Sequence, residues 1–149
     1  MTHKPLKPGE TFTAQPLSHD AALTFIGHAE TPWPTLADCP KQGRLDGPDC
    51  ALVLASPWDE ALRGVEKFEF LEVYLWFHRA RRDLLVIDPS HGDGPRGVFA
   101  LRSPVRPNPI AVSTVALVGR SGNRLIVRGL EAVDGTPLID IKPGRCPHS

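Results

Sequence analysis

Proline limits the folds open to this chain more than any other feature of its sequence. Sixteen of the 149 residues are proline, whereas the usual share is roughly 5%. Proline breaks the interior of a helix and is confined to the edges, bulges and ends of strands. A bundle of long helices is therefore excluded, and short strands joined by turns are favoured. The length suits one domain of roughly 100–150 residues.

The charge balance bears on possible partners and on location. Seventeen Lys and Arg residues balance seventeen Asp and Glu residues, so binding to nucleic acid through bulk positive charge is not favoured. A local group of arginines can still contact phosphates. No apolar run approaches the roughly 18–20 residues of a membrane span, and residues 1–20 lack the apolar core of a signal peptide. We therefore expect a soluble, cytoplasmic protein.

The three cysteines predict neither a disulfide framework nor a zinc ribbon. Cys39, Cys50 and Cys146 are odd in number, and no two of them form a CxxC pair. Cys146 and His148 could in principle ligate a metal near the C-terminus, but an ordinary polar tail is the favoured interpretation. We predict no metal site.

Alternation of apolar and polar residues predicts a mainly β fold. The clearest period of two covers residues 71–78, where Leu71, Val73, Leu75 and Phe77 alternate with Glu72, Tyr74, Trp76 and His78. Further strands are predicted at residues 23–30, 51–55, 84–87, 97–101 and 138–141. A hairpin is predicted to pair residues 111–118 with 125–127.

One short helix and one flexible arm complete the predicted architecture. The helix begins with Ser56 as its cap and Pro57 at its first position, and Gly64 ends it. Residues 1–20 show no period and are interpreted as an N-terminal arm. Residues 21–149 are expected to form a single domain, a small closed or curled β-barrel.

Residues 92–97 match the dinucleotide-binding pattern GxGxxG letter for letter. That fingerprint needs a helix N-terminus directed at a pyrophosphate. Here Val98, Phe99 and Ala100 follow as a strand pattern, and a run with three prolines comes next. A turn between strands is the better interpretation, so a Rossmann-type site is not supported.

Residues 102–109 (RSPVRPNP) combine a stiff backbone with projecting polar groups. Three prolines hold this stretch extended, and a rigid site loses little entropy when it binds a ligand. Arg102 and Arg106 supply forked donors for a carboxylate or phosphate. Asn108 can both donate and accept, as in reading an adenine edge. A solvated linker is the alternative, but the predicted strands on both sides favour a binding loop.

Two further candidates lie on predicted strands. Asp140 and Lys142 share one face of residues 138–141 and their continuation. They form either a surface ion pair or a catalytic pair in which the lysine keeps the carboxylate ionised as a base. His78 ends the strand at residues 71–78 and is followed by Arg79. A lone strand histidine is more often structural than catalytic.

Several ordered motifs together resemble the signature of the TsaA-like, TrmO-type methyltransferases. The strongest is residues 97–110 (GVFALRSPVRPNPI), supported by residues 61–68 (ALRGVEKF), 76–78 (WFH) and 134–143 (DGTPLIDIKP). The opening Phe25-Ile26-Gly27 and the Pro40-Lys41-Gln42-Gly43 turn fall in matching order. The resemblance runs from Thr24 to Pro143.

This resemblance implies a β-barrel that binds S-adenosyl-L-methionine without a Rossmann fold, usually as a homodimer. It implies N6-methylation of threonylcarbamoyl-adenosine beside the tRNA anticodon. It also implies a set of cofactor contacts on a loop, a strand end and the segments that follow: Lys41, Gln42, Gly43, His78, Arg79, Arg102, Val112, Leu130, Glu131, Ala132 and Val133.

The acceptor nitrogen of a ureido-adenine is a poor nucleophile. We hypothesise that Asp140 removes its proton, or that Arg106 or Lys142 stabilises the charge developing on the ureido carbonyl, with Asn108 as a further polar group of the site. Two alternatives remain open. One is a methyltransferase of the same fold with another acceptor, and the other is a module that binds the cofactor without catalysis.

Overall fold

The computed structural model describes residues 4–90 and 92–145, and this part of the chain consists mainly of strands and turns. Its strands are β1 (Thr11–Phe12), β2 (Gly27–Glu30), β3 (Cys50–Leu54), β4 (Phe70–Trp76), β5 (Leu84–Ile87), β6 (Arg96–Gly97), β7 (Ile110–Ser121), β8 (Arg124–Arg128) and β9 (Pro137–Pro143). Short 3-10 helices occupy Trp58–Leu62, Val65–Lys67 and Val98–Ala100. Cys146 and His148 lie outside the described residues.

The chain divides into two compact units. We call residues 23–77 and 110–149 the barrel unit, and residues 1–22 and 78–109 the small unit. The single domain expected over residues 21–149 stays a prediction. Within the described residues, no helix has the length and apolar content needed to span a bilayer.

The barrel unit is a closed antiparallel barrel, as the sequence predicts. The strand order is β2-β3-β8-β7-β4-β9, and β9 pairs with β2 to close the ring. The predicted hairpin is confirmed as β7 and β8, although both strands are longer than the pattern indicates. Closure leaves none of these six strands with an unpaired edge.

The barrel core follows from the period-two pattern of β4. Leu71, Val73 and Leu75 are at most 1% exposed, while the residues between them face outward. The inward residues of the neighbouring strands are equally buried and complete the core: Leu52, Val115, Leu125, Val127 and Leu138. The strand ends at Trp76, so the prediction that His78 ends this strand is wrong.

Two local predictions need correction. The predicted helix is a 3-10 helix at Trp58–Leu62 whose cap position is Pro57, and Ser56 does not cap it. Of the strand predicted at residues 97–101, only Gly97 lies in a strand, β6. Val98 is buried, but Phe99 and Ala100 are both exposed. The run therefore does not alternate as a strand requires, and Leu101 N–H donates to the Val98 carbonyl in a helical turn.

The small unit is built on a three-stranded sheet in the order β1-β5-β6. Leu84, Ile87 and Val98 form its core. The composition of residues 1–20 did not predict β1, where Thr11 pairs with Val86. The same segment is tied further by Lys7 Nζ, which donates to the Asp88 carbonyl at 3.0 Å.

The barrel core predicts a large cost for truncation. Leu52→Ala should lower the free energy of unfolding by about 2–5 kcal/mol, because the side chain is 0% exposed and leaves a cavity. Urea unfolding followed by circular dichroism measures this loss. Leu36→Ala is the matched control, since Leu36 is 69% exposed and should change stability by no more than about 0.5 kcal/mol. Equal losses in the two variants would contradict the assigned core.

Candidate functional site

The residues predicted to bind cofactor or to act on the acceptor fall in both units. The small unit holds the strand-end and Pro-rich-loop candidates: His78, Arg79, Arg102, Arg106 and Asn108. The barrel unit holds the remaining ones: Lys41, Gln42, Gly43, Val112, Leu130, Glu131, Ala132, Val133, Asp140 and Lys142.

Two of the predicted cofactor segments meet in the barrel unit. Gly43, in the loop before β3, packs so closely on the end of β8 that an added Cβ would overlap the carbonyl oxygen of Gly129. The same Cβ would lie 3.1 Å from Cγ of Glu131. Gly129 itself has φ +107, a conformation that favours glycine. We call this meeting of residues 41–43 with 129–133 the glycine cradle.

Buried side chains anchor the second half of the glycine cradle. Leu130, Ala132 and Val133 are 1%, 2% and 6% exposed, so a ligand reaches this stretch mainly through backbone groups. Thr31 Oγ1 donates to the Ala132 carbonyl at 2.8 Å, and Thr136 Oγ1 donates to the Val133 carbonyl at 2.7 Å. These bonds fix the segment before any ligand arrives, which lowers the entropy lost on binding.

Asp140 and Lys142 form an ion pair on the outer face of the barrel. Lys142 Nζ lies 3.0 Å from Oδ2 of Asp140, and Oδ1 accepts the backbone N–H of Ile141 at 2.9 Å. The prediction that the two side chains share a face is confirmed. Both are about half exposed, at 47% for Asp140 and 56% for Lys142, so an external ligand can reach them.

Tyr74 lies at the centre of this outer face. On β4 it pairs with Asp140 of β9 on one side and with Val112 of β7 on the other. Directly opposed residues of antiparallel strands point to the same face. A predicted cofactor contact, Val112, and the predicted base, Asp140, therefore lie two strand spacings apart, roughly 10 Å. We call Val112, Tyr74 and Asp140 the outer row.

The sequence did not identify Tyr74 and Glu72 as partners of the Asp140–Lys142 pair. Tyr74 Oη donates to Oε2 of Glu72 at 2.9 Å, and Lys142 Nζ lies 5.8 Å from the centre of the Tyr74 ring. Their place on the polar face of β4 was visible in the period-two pattern. Their neighbours on β9 were not visible in it, because the pattern of one strand does not give its register against another strand.

The charges of this face keep Lys142 cationic and Tyr74 neutral near pH 7. The hydrogen bond and charge of Asp140 raise the pKa of Lys142 above its usual range. The hydrogen bond to Glu72 is the main cause of the raised pKa of Tyr74. Lys142 can thus stabilise negative charge. Tyr74, whose O–H already donates to Glu72, cannot serve as a base at neutral pH.

In the small unit, the Pro-rich loop is held by its own arginines. Nη1 of Arg106 donates to the carbonyls of Leu101 at 3.1 Å and Ser103 at 3.0 Å. Arg82 Nε donates to the Pro107 carbonyl at 2.6 Å. The loop is therefore stiffened by side chains as well as by proline, and one nitrogen of Arg106 is committed to it.

An open cleft of about 650 Å³ in the barrel unit lies beside β2, β3 and β8, and none of the predicted site residues lines it. Arg124 forms a forked pair with Glu30, at 3.2 and 2.7 Å. Thr31 N–H donates to Asp134 at 3.0 Å. Because these charged groups satisfy one another, the cleft offers an incoming ligand little unpaired charge.

The Glu30–Arg124 pair makes stability depend on pH in a defined direction. The hydrogen bond from Arg124 holds the pKa of Glu30 below its usual value. A lowered pKa in the folded state contributes stability at neutral pH, and this contribution is lost as the pH falls through that pKa. Arg124→Gln should therefore lower the thermal midpoint at pH 7. The midpoints of the variant and the unsubstituted protein should converge at a pH below the pKa of Glu30 in both the folded and the unfolded state.

Arg63→Gln is the matched control for this pH series. Arg63 pairs with Glu60, and the two side chains are 88% and 76% exposed, so this variant should show little change at any pH. Thermal unfolding followed by circular dichroism measures both. A difference in thermal midpoint between Arg124→Gln and the unsubstituted protein that stays constant at every pH would contradict the ion-pair account.

Comparison with known proteins identifies the family. Residues 28–145 match the family model described as the tRNA-methyltransferase O N-terminal domain. A Rhizobium radiobacter protein named probable S-adenosyl-L-methionine-binding protein VirR is 46% identical over 140 residues, which cover 94% of this chain and 80% of that protein. A Pseudomonas aeruginosa protein named putative S-adenosylmethionine-dependent methyltransferase RcsF is 42% identical over 98 residues, covering 62% and 42% of the two chains.

The fold is similar to that of a solved TrmO. The crystal structure of TrmO from P. aeruginosa superposes with a TM-score of 0.68 at 32% identity. The match covers 86% of this chain, which spans 56% of the TrmO chain. The resemblance drawn from the ordered motifs is thereby confirmed, and the chain belongs to the family of the tRNA-methyltransferase O N-terminal domain.

Proposed function

We propose that this protein is an S-adenosyl-L-methionine-dependent methyltransferase that acts on tRNA. The observation that carries the proposal is the glycine cradle. Two segments far apart in sequence, both assigned to the cofactor by resemblance, pack against each other at Gly43 and Gly129. The names of the relatives, which refer to S-adenosyl-L-methionine, support the same cofactor.

The residues of the glycine cradle fit such a cofactor. The space beside Gly43 excludes even a Cβ, so the backbone itself forms the wall. Backbone groups of Leu130 and Glu131 can hydrogen-bond an adenine edge. Val112 is 41% exposed and offers an apolar contact. We assign Lys41 and Gln42 to the polar end of the cofactor, with His78, Arg79 and Arg102 of the small unit as further contacts.

When bound, the cofactor supplies an electrophilic methyl group on a sulfonium. The acceptor we propose is N6 of threonylcarbamoyl-adenosine next to the tRNA anticodon. Asp140 accepts the N6 proton, and Lys142, 3.0 Å from it, holds the carboxylate in place and balances charge on the ureido carbonyl. Tyr74, at the centre of the outer row, lies beside this pair with its O–H donated to Glu72. Positioning of the two reactants contributes a large share of the rate.

Arg106 and Asn108 remain candidates of the small unit. Because Nη1 of Arg106 is bound to loop carbonyls, we expect a positioning role for Arg106 beside any contact with the acceptor. Asn108 is exposed, and its Oδ1 accepts from Arg82 at 3.5 Å, a long bond that an acceptor base can replace.

The assembly we propose is a homodimer acting in the cytoplasm. Exposed apolar residues on β7 support a second copy, since Ile110 and Val118 are 41% and 46% exposed. Sedimentation equilibrium measures the assembly directly. Two other functions compete with the proposal: methylation of a different acceptor, and binding of the cofactor without catalysis.

The glycine cradle predicts that Gly43→Ala weakens cofactor binding. Over-packing of this kind costs about 1–3 kcal/mol, so the displaced backbone of the cradle should weaken the Kd by up to roughly 150-fold. Isothermal titration with S-adenosyl-L-methionine measures the change. Gly119→Ala is the control, because an added Cβ at Gly119 meets no atom within 4 Å. Unchanged affinity in a folded Gly43→Ala protein would remove the cradle from the site.

The base assignment predicts that Asp140→Asn lowers kcat by roughly 10²–10⁴-fold with little change in cofactor Kd. The assay supplies S-adenosyl-L-methionine and tRNA that carries threonylcarbamoyl-adenosine, and nucleoside mass spectrometry detects the product. Asp20→Asn, an exposed carboxylate of the small unit, serves as control. Full methylation by Asp140→Asn with an unchanged pH profile would refute the base role. Cofactor binding without product from the unsubstituted protein would favour one of the competing functions.

A further inference from the structure

Positive charge is concentrated in the small unit, although the whole chain is neutral. Residues 1–22 and 78–109 contain eight Lys or Arg residues and five Asp or Glu residues. The barrel unit contains nine Lys or Arg residues and twelve Asp or Glu residues. The unit with fewer residues thus carries a positive balance that the composition of the full chain conceals, and a polyanion is the partner that such a balance attracts.

Phe99 is the most exposed large apolar side chain of the described residues. It is 80% exposed, at the middle of the 3-10 helix Val98–Ala100. Val98 on one side is buried in the core with Leu84 and Ile87. The turn is fastened where Arg106 binds the Leu101 carbonyl. The aromatic ring is therefore displayed from a fixed turn, which limits the entropy lost when a partner covers it.

Arg96 and Arg102 lie three residues before and after Phe99, and both are exposed. Within residues 4–90 and 92–145, neither side chain takes part in a hydrogen bond or ion pair. Other arginines of the unit are committed: Arg81 to Asp83, and Arg106 to its own loop. The exposed ring is thus flanked by cations that are available to an external anion.

We propose that Phe99 stacks on an unpaired base of an RNA acceptor and that Arg96 contacts the adjoining phosphate. The inference rests on the proposed function, in that it assumes an RNA acceptor, and it extends the site to a surface outside the predicted cofactor contacts. Proteins hold single-stranded RNA by stacking bases on aromatic rings beside basic groups. Of Arg96, Phe99 and Arg102, only Arg102 is also a predicted cofactor contact.

Charge argues for RNA over a second copy of the chain. A symmetric dimer formed through Phe99 would bring the same segment of each copy together, and it would oppose Arg96 and Arg102 to their own equivalents. Like charges placed together in this way are unfavourable. An RNA loop offers the opposite charge and a flat ring in one ligand.

The test uses the full chain and a fluorescein-labelled synthetic RNA hairpin with unpaired loop bases, measured by fluorescence anisotropy. Phe99→Ala should weaken the Kd by roughly five- to hundredfold, the range found for stacking on one aromatic ring, and Phe99→Trp should retain binding. Arg96→Gln should reduce the dependence of log Kd on log salt by about 0.7, the value for one phosphate contact to a single strand.

Matched variants separate this surface from general effects. Phe12→Ala removes another exposed aromatic side chain of the small unit, 53% exposed, and should leave the Kd unchanged. Arg63→Gln removes an exposed arginine of the barrel unit and should leave the salt dependence unchanged. A fully paired RNA duplex should show no difference between Phe99→Ala and the unsubstituted protein, because it has no free base to stack.

Each outcome decides a separate question. Any of three results for Phe99→Ala overturns the inference: unchanged hairpin affinity, loss of S-adenosyl-L-methionine binding, or conversion to another oligomeric state. If the unsubstituted protein methylates tRNA and Phe99→Ala has the same KM, the proposed function stands and this inference fails. Hairpin binding that depends on Phe99 without methyl transfer leaves the inference standing and refutes the enzyme.

Discussion

The pairing of β9 with both β2 and β4 is the constraint on which the barrel depends. It turns an open sheet into a ring and buries Leu138, which pairs with Gly27 on one side and Leu75 on the other. The same pairing places Asp140 beside Tyr74. A shift of one residue would turn Asp140 toward the core and leave its charge buried. The stability of the barrel and the position of the candidate base are therefore set by one register.

A second consequence of closure is that the candidate site residues lie on the outside of this barrel. The inward positions are filled by buried aliphatic side chains such as Leu52, Val73 and Leu125, as in other small barrels. Binding groups must then come from the outer face and from segments beyond the strand ends. The outer row and the glycine cradle are features of these two kinds, and both belong to the barrel unit.

Much of the strand content could be predicted from single-strand patterns. The alternation of Leu71, Val73 and Leu75 specified a half-buried strand, and the turn residues between β7 and β8 specified a hairpin. The pattern failed at residues 98–101, because an apolar run does not distinguish a strand from a short helical turn. It failed at residues 1–20 because a two-residue strand such as β1 is held by its partner β5, and not by its own composition.

The candidate site shows the same division. Motif order was enough to name the family and, through that resemblance, to select Gly43. The spacing of Asp140 and Lys142 was enough to place them on one strand face, because that spacing is a local property. The sequence alone therefore determined most of the strands, the barrel class and the choice of these candidates. Only the tertiary structure decided that Gly43 meets Gly129, that Tyr74 lies between Val112 and Asp140, and that Phe99 is displayed. Those are contacts and exposures across the fold, fixed by register and burial, which no single segment encodes.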